Sequence, residues 1–402
     1  MTERILVVGS GFAGLWSALG AARLLEHEGK SGEVEIALIA PEAEIHIRPR
    51  LYEKNPGSMK APLTDLLDAV GVRYVQGTVE AIRPATRQVD LISATDGFVT
   101  MTYDRLVLAT GSQLFRPSIP GLVEHSLSVD QLHEADALER HIKALAALPP
   151  SLARNTVVVC GGGFTGIETA AEMPARLKAA LGDDASIRVI VVEREADIGP
   201  DLGPGPRPVI TTALTELGVE MRLGVSVLSV DENGLTTSDG HRIDSKTVIW
   251  TAGMRASPLT AQIDAPKDAL GRLHVDRNLA VPGMEDIFAT GDVAYAATDD
   301  VGNHASMSCQ HAMGLGRSAG HNVAASLLGL PAIPYSQPKY VTCLDLGPWG
   351  AVYTEGWERE VKMQGPEAKE LKYTINSLLI YPPNAVRAEA LEAADPLRVD
   401  VA

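Results

Sequence analysis

Cysteine is scarce in this chain: Cys160, Cys309 and Cys343 are the only three, an odd number with no C-x-x-C spacing. That arithmetic argues against a disulfide framework and against a cysteine zinc site, and no metal site is expected. Positive charge is also short, with 35 Lys and Arg against 51 Asp and Glu and a formal net charge of −16. Nucleic-acid binding rests on clustered basic residues and is not expected; docking on anionic lipid is disfavoured for the same reason. No apolar run of about eighteen residues exists to cross a bilayer. The first strand begins by Ile5, which leaves no room for a secretory signal. The expectation is a cytoplasmic protein whose membrane association is at most peripheral. Its few aromatics gather late, at Tyr335, Tyr340, Trp349, Tyr353, Trp357, Tyr373 and Tyr381. That is too many for a disordered tail, so only the acidic, Ala-rich end from about Arg387 reads as loose.

What the chain does have is glycine in a particular spacing, twice. Val157 to Cys160 read as a short apolar strand, Gly161, Gly163 and Gly166 follow as G-x-G-x-x-G, and Thr165 to Leu181 read as a helix. Ile5 to Val8, then Gly9, Gly11 and Gly14, then an Ala/Leu-rich helix to Leu25 repeat the pattern. In such a turn the first glycine makes the tight bend and the second lets backbone approach a pyrophosphate. The third lets helix pack on strand, so that the helix N-terminus faces the anion. One such motif is weak evidence; two in strand–turn–helix context suggest one dinucleotide passing electrons to another. After the second turn, the strand Val189 to Val192 ends at Glu193, where an acid can bond a ribose diol. The corresponding strand of the first half ends Ile39-Ala40-Pro41 instead, with Glu42 or Glu44 as possible substitutes.

The two halves share further features. Val89 to Ser93 and Phe98 to Thr102 form a hairpin around Asp96-Gly97; Val219 to Leu223 and Val225 to Val230 are strand patterns, with a turn at Asp239-Gly240. Leu106-Val-Leu-Ala109-Thr110-Gly111 is echoed by Val248-Ile-Trp-Thr-Ala-Gly253, each a strand running into a glycine. A helix is predicted over Val129 to Leu148, a Gly/Pro-dense loop over Pro200 to Pro208, a helix from Val209 to Leu217, and a helix from His304 to Leu328. The fold class is α/β: two Rossmann-like dinucleotide-binding domains plus a smaller α+β C-terminal domain, an arrangement that resembles the glutathione-reductase-like proteins. The domain reading is 1–120 with 255–330, then 121–254, then 331–402.

Taken in order, Gly9/Gly11/Gly14, Ala109-Thr110-Gly111, Gly161/Gly163/Gly166 with Glu168, and Thr290-Gly291-Asp292 resemble the two-dinucleotide-binding FAD/NAD(P)H oxidoreductases. The resemblance is strongest to type II NADH dehydrogenases and apoptosis-inducing-factor-like reductases, on Pro49-Arg-Leu-Tyr52, Gly166-Ile-Glu-Thr-Ala-Ala-Glu172 and Cys309-Gln-His-Ala312. It implies FAD at the first turn, with Arg48, Pro49, Val79, Ala109, Thr110, Gly111, Gly291 and Asp292 along it. It implies NADH at the second turn, with Glu193 and Gly253 beside it and Glu168 near the nicotinamide. Members that relay electrons through thiols carry cysteines near the first helix or soon after the second strand; Ile36 to Leu67 has none. The resemblance also gives a glutamine pair after Gly-Asp: Gln310 matches the first, and Leu315 stands in place of the second.

The implied activity is oxidation of NADH with electrons passed to a quinone-like or other small acceptor, without a redox-active disulfide. Two alternatives stand beside it: a pathway-specific flavin enzyme for one small metabolite, and a slow-turnover redox sensor. Glu168 and Gln310 are the candidate catalytic residues, Gln310 because an amide donates to a carbonyl oxygen as charge develops there. Leu315 is expected to line an apolar wall of the acceptor site. Glu193 favours NADH over NADPH by repelling a 2′-phosphate, with Arg194 as the counter-argument.

Overall fold

The protein is described by a computed structural model over residues 2–93 and 95–399. Two sheets carry it, both parallel except for one antiparallel edge strand in the first. In the first, Glu3–Val8 lies between Val34–Ala40 and Arg105–Leu108, with Arg73–Gln76 beyond one neighbour and Met284–Ala289 and Ala280–Val281 beyond the other. In the second, the order is Val219–Arg222, Arg188–Val192, Thr156–Cys160, Thr247–Trp250. Their central strands, Ile5 to Val8, Ile36 to Ala40, Val157 to Cys160 and Val189 to Val192, are apolar because both faces are covered, the usual cause of unbroken Val/Ile runs. Ile5 and Val7 pack among the first helix and the late helix, whereas Leu6 and Val8 pack on a three-stranded antiparallel sheet. Val157 and Val159 join a helical core, and Val158 and Cys160 face a second three-stranded sheet. Those antiparallel sheets are Thr78–Arg83, Gln88–Ser93, Gly97–Thr102 and Val227–Asp231, Gly234–Thr237, Arg242–Asp244.

The first helix, Phe12–His27, crosses Cys309–Leu328 at backbone contact. Small residues make the approach possible. A Cβ on Gly320 would lie 2.1 Å from the Ser17 carbonyl oxygen, one on Gly316 2.6 Å from that of Ala13, and one on Gly20 2.7 Å from that of Arg317. Arg317 is itself buried and lays its guanidinium on the Trp16 ring at 4.1 Å. A third sheet, Val341–Asp345, Ala351–Glu355 and Glu360–Gly365, with the helix Pro366–Thr374, packs onto the second half through Phe164–Leu181. Among the described residues no helix is long and apolar enough to cross a membrane.

Several boundaries differ from the sequence reading. The helix expected over 129–148 is Leu132–Ala144, because Gln131 and Glu134 form a capping box that fixes its start. The Gly/Pro loop is shorter than expected, since a helix already begins at Arg207 with proline in its first turn. The late helix begins at Cys309, not His304, where Ser308 Oγ accepts from His311 N at 3.3 Å. The segment from Arg387 to Ala393, expected to be loose, is not, and residues 400–402 lie outside the described residues. Arg387–Ala393 is a helix; Arg387 donates to Glu26 at 2.6 Å and to the Ala69 carbonyl at 3.0 Å, and Ala390 and Leu391 enter the core.

Candidate functional site: two glycine turns around a buried charge cluster

The glycine turns have nearly the same geometry. Gly9 and Gly161 take φ of +109° and +116°, open to glycine alone at little cost. A Cβ on Gly14 would sit 1.8 Å from the Gly9 carbonyl oxygen, and one on Gly166 1.8 Å from that of Gly161. The middle glycines differ from both: nothing lies within 4 Å of a Cβ built on Gly11 or Gly163. These two residues are also the helix N-caps, with no side-chain cap and no acid in either first turn. Uncapped amides over open space are a fit for a pyrophosphate, which needs N–H donors and close backbone approach.

The remaining first-half residues gather around Asp292. Its Oδ2 accepts from Ser112 Oγ at 2.5 Å and lies 3.8 Å from Arg48 Nη1. Arg48, next to Pro49 in a short 3₁₀ turn, is anchored on Asp130 Oδ1 at 2.5 Å and on the Ser112 carbonyl at 3.2 Å. A Cβ on Gly9 would meet the Ala109 carbonyl oxygen at 2.4 Å, and one on Gly291 would meet the Ala13 methyl at 2.6 Å, so the Ala109 loop presses on the first glycine turn and the Gly291 loop on the first helix. The hydroxyls of Thr110 and Thr290 are buried with no hydrogen-bond partner among the described residues, as a site for a polar ligand would leave them. Gly111 accepts from Ser257 N at 2.9 Å, and Gly253 from Phe115 N at 2.8 Å, which links the two halves at their matching glycines. Val79 lies further out, on the antiparallel sheet opposite Leu91.

The strand ends are where the halves part. Glu193 is buried; its Oε2 accepts from Gly162 N at 2.6 Å and its Oε1 from Glu195 N at 2.9 Å. The carboxylate is thus locked against the turn. Arg194 points away, exposed and 3.2 Å from Glu195. At the corresponding place Ala40 offers no acceptor. Neither substitute fills the role as Glu193 does: Glu44 is held by Lys60 Nζ at 2.8 Å, and Glu42 is exposed beside His46 at 3.7 Å.

Glu168 sits in a cluster that the sequence did not announce. Its Oε1 accepts from Lys372 Nζ at 2.8 Å and from Asp345 N at 3.0 Å, and both side chains are almost wholly buried. Burial pushes the Glu168 carboxyl up to about 7, with Lys372 pulling the other way. Burial pulls the Lys372 ammonium down, but Glu168, Cys343 and Asp345 together outweigh it and the net direction is up. Lys372 also lies 5.6 Å from the Phe164 ring centroid and 6.0 Å from that of Tyr52. One ammonium from the C-terminal part therefore reaches the second glycine helix and the segment after Arg48. Tyr52 donates to Asp345 Oδ2 at 3.0 Å, and burial holds its phenol well above the usual range. Contacts spanning two hundred residues leave no local pattern, so Lys372, Asp345 and Tyr52 could not be read from spacing.

Gln310 lies in the first turn of the late helix, its Oε1 near Val341 N at 3.5 Å, a weak hold that leaves the amide adaptable. Leu315 does not line a wall of the site. It is buried, in the core that also holds the first helix. His311 is fully buried, its Nδ1 3.1 Å from Ser306 Oγ and from Ser308 Oγ, and burial pulls it down to about 4. The three cysteines are unpaired, and burial raises their thiols to about 11 or 12. At such values none is a ready thiolate.

A family model described as pyridine nucleotide-disulphide oxidoreductase matches residues 3–316. An NADH dehydrogenase-like protein of Mycobacterium tuberculosis is 47% identical over 398 residues, covering 98% of each chain. The demethylphylloquinone reductase NdbB of Synechocystis is 30% identical over 373 residues, covering 91% of this chain and 89% of that one. The type II NADH:quinone oxidoreductase Ndh of M. tuberculosis is 31% identical over 329 residues, covering 73% and 67%. Among solved structures, NDH2 from Plasmodium falciparum in complex with NADH shares the fold, with a TM-score of 0.79 at 14% identity and 98% of each chain covered. Because the family model spans both glycine turns and ends inside the helix that follows Asp292, the chain belongs to the pyridine nucleotide-disulphide oxidoreductase family, as an enzyme whose own three cysteines stand unpaired.

Proposed function

We propose that the protein is an FAD-dependent NADH oxidoreductase that passes electrons to a quinone-like small acceptor without a redox-active disulfide. The observation that carries this reading is the pair of open, uncapped glycine turns in one chain, with no cysteine pair between them. The names of the relatives, NADH:quinone oxidoreductases and a demethylphylloquinone reductase among them, support the choice of donor and acceptor.

FAD held at the first turn would supply hydride acceptance from NADH and the passage of two electrons and a proton to the acceptor. Residues 1–120 and 255–330 form the part that holds it, 121–254 the part that holds NADH, and 331–402 a part that closes over both. The amides at Gly11, with Asp292, Ser112 and Arg48, bind and orient the first dinucleotide. Gly163 and Glu193 do so for the second, and Glu193 excludes a 2′-phosphate by charge. Holding donor and acceptor in contact is the protein's main contribution to hydride transfer. Reduction of a quinone also consumes a proton beyond the one the hydride supplies. Glu168, buried and titrating near neutrality, holds that proton at its carboxyl beside Lys372 Nζ. Gln310 offers its amide to an acceptor carbonyl.

The test is anaerobic reduction by NADH followed by reoxidation against quinones, oxygen, dyes and small metabolites. Fast flavin bleaching and fast reoxidation by quinones are expected. Reoxidation by one metabolite alone would point to a dedicated metabolic enzyme, and a long-lived reduced complex to a sensor.

A further inference from the structure

The buried pair Glu168–Lys372 has an outer counterpart. Glu168 and Glu172 lie one turn apart on Phe164–Leu181, and Lys372 and Lys369 lie one turn apart on Pro366–Thr374. They face each other as two rungs, Glu168 to Lys372 at 2.8 Å and Glu172 to Lys369 at 3.6 Å. The inner rung is shut away, its side chains 5% and 7% exposed, while the Lys369 side chain is 36% exposed. Asp345 joins the rungs. Its backbone N–H donates to Glu168 Oε1 at 3.0 Å, and its own Oδ1 accepts from Lys369 Nζ at 2.5 Å and from Gly347 N at 2.8 Å.

Charge around the cluster can be counted element by element. Phe164–Leu181 brings Glu168, Glu172 and Arg176; Val341–Asp345 brings Cys343 and Asp345; Pro366–Thr374 brings Lys369 and Lys372; the segment after Arg48–Arg50 brings Tyr52 and Glu53. Arg176 is matched by Glu139 at 2.6 Å and Glu53 by Arg50 at 2.8 Å. Three carboxyls, those of Glu168, Glu172 and Asp345, are left against two ammoniums. A buried cluster with one carboxyl more than its cations is at its lowest energy with one proton aboard.

We propose that Asp345 and Lys369 are positioning residues for proton delivery: Lys369 is the end at which the cluster exchanges its proton with water, and Asp345 sets how firmly Glu168 holds it. This rests on the reading of the site as an NADH:acceptor reductase. In that reaction the nicotinamide C–H bond breaks with its electron pair, NADH is oxidised, and a quinone is reduced with two new O–H bonds. One of those hydrogens is balanced by the hydride and the other comes from water. Glu168 and Lys372 are almost wholly buried, whereas the Lys369 side chain is 36% exposed, and the outer rung is therefore the route assigned to the second proton.

The test follows the infrared band of the protonated Glu168 carboxyl in the FAD-loaded protein, assigned by its loss in Glu168→Gln, against pH. The wild type should titrate near pH 7. Asp345→Asn removes a neighbouring negative charge and should lower the midpoint by about 0.5 pH or more, and Lys369→Met should raise it by a similar amount. In turnover, Lys369→Met should slow acceptor reduction increasingly above neutral pH, with recovery in Lys369→Arg, while single-turnover flavin reduction by NADH stays put. A purely structural role would lower the rate by one factor at every pH and leave the midpoint unmoved, and that result overturns the proposal. Wild-type protein that NADH does not bleach would sink the reductase reading instead, and the infrared titration would still decide the charge assignment.

Discussion

The two glycine turns share a backbone and differ at the sugar end. Gly9 N and Gly161 N each donate to the neighbouring strand, to the carbonyls of Ile39 and Val192, at 2.9 Å in both cases. One residue further on, Ser10 gives its hydroxyl to the Glu44 carbonyl at 2.9 Å, whereas Gly162 gives its amide to the Glu193 carboxylate. Gly162 has no room for a side chain, since a Cβ there would press Ile198 at 2.8 Å and Glu193 at 3.1 Å. The lesson is a division of labour. On the assignment proposed above, phosphate recognition is written in backbone that leaves no room for a side chain, and both halves repeat it. Sugar recognition is written in side chains and can diverge between them.

The strongest way to break the symmetry is a methyl group. Gly14→Ala and Gly166→Ala place a Cβ inside a carbonyl oxygen and should each cost roughly 4 kcal/mol or more, read as collapse of the thermal transition. Gly11→Ala and Gly163→Ala meet nothing in the protein and should leave that transition in place. The first should lose FAD affinity and the second NADH affinity; equal damage to both ligands from either change would end the assignment of turns to ligands. Next in size, Glu193→Ala strips Gly162 N of its partner. It should weaken NADH by about tenfold or more, the scale of one lost buried hydrogen bond to a charged group, and raise NADPH relative to NADH in kcat/KM. Smaller still, Ala40→Asp would give the first half the acid that it lacks. FAD release, followed by its fluorescence, should slow by up to about tenfold, a gain of some 1.4 kcal/mol; no change would mean that Glu42 or the turn already satisfies the ribose. The least effect belongs to Cys160→Val, which makes the last strand residue match Val8. Stability should stay within about 1 kcal/mol and flavin reduction by NADH should be untouched; loss of reduction in a variant that keeps its FAD would reopen thiol chemistry.

What could be read from the sequence follows the same division. Glycine spacing and apolar strands are local, because backbone strain and two-faced burial act within a few residues, and both turns and both sheets were legible from them. Helix starts were less so, since a cap such as Ser308 competes with an apolar pattern that runs through it from His304. The charge cluster was not legible. Lys372 reads as one more lysine of a polar helix until the fold sets it against Glu168, and Asp345 acts partly through its main chain, which no residue type reveals. Leu315 was misplaced because motif alignment assigns a position on a helix but not the side it faces. The tail was misread because composition suggested solvation, while Arg387 and Leu391 together supply the ion pair and the apolar contact that dock it.

The contact between Phe12–His27 and Cys309–Leu328 also dictates an order of events during synthesis. Each helix leaves the Gly-packed face of the other bare until both exist, so the first strand and helix wait for nearly three hundred further residues. The strands of the second sheet carry no such debt, since all four fall within Thr156 to Trp250, although the helix Phe164–Leu181 still waits for the third sheet. A ribosome would therefore present the second sheet already assembled beside a first half still open. Closing so long a loop costs only slowly more with its length, so the delay is chiefly one of time rather than stability. During that interval the apolar face of the first helix is the part of the nascent chain in most need of shelter.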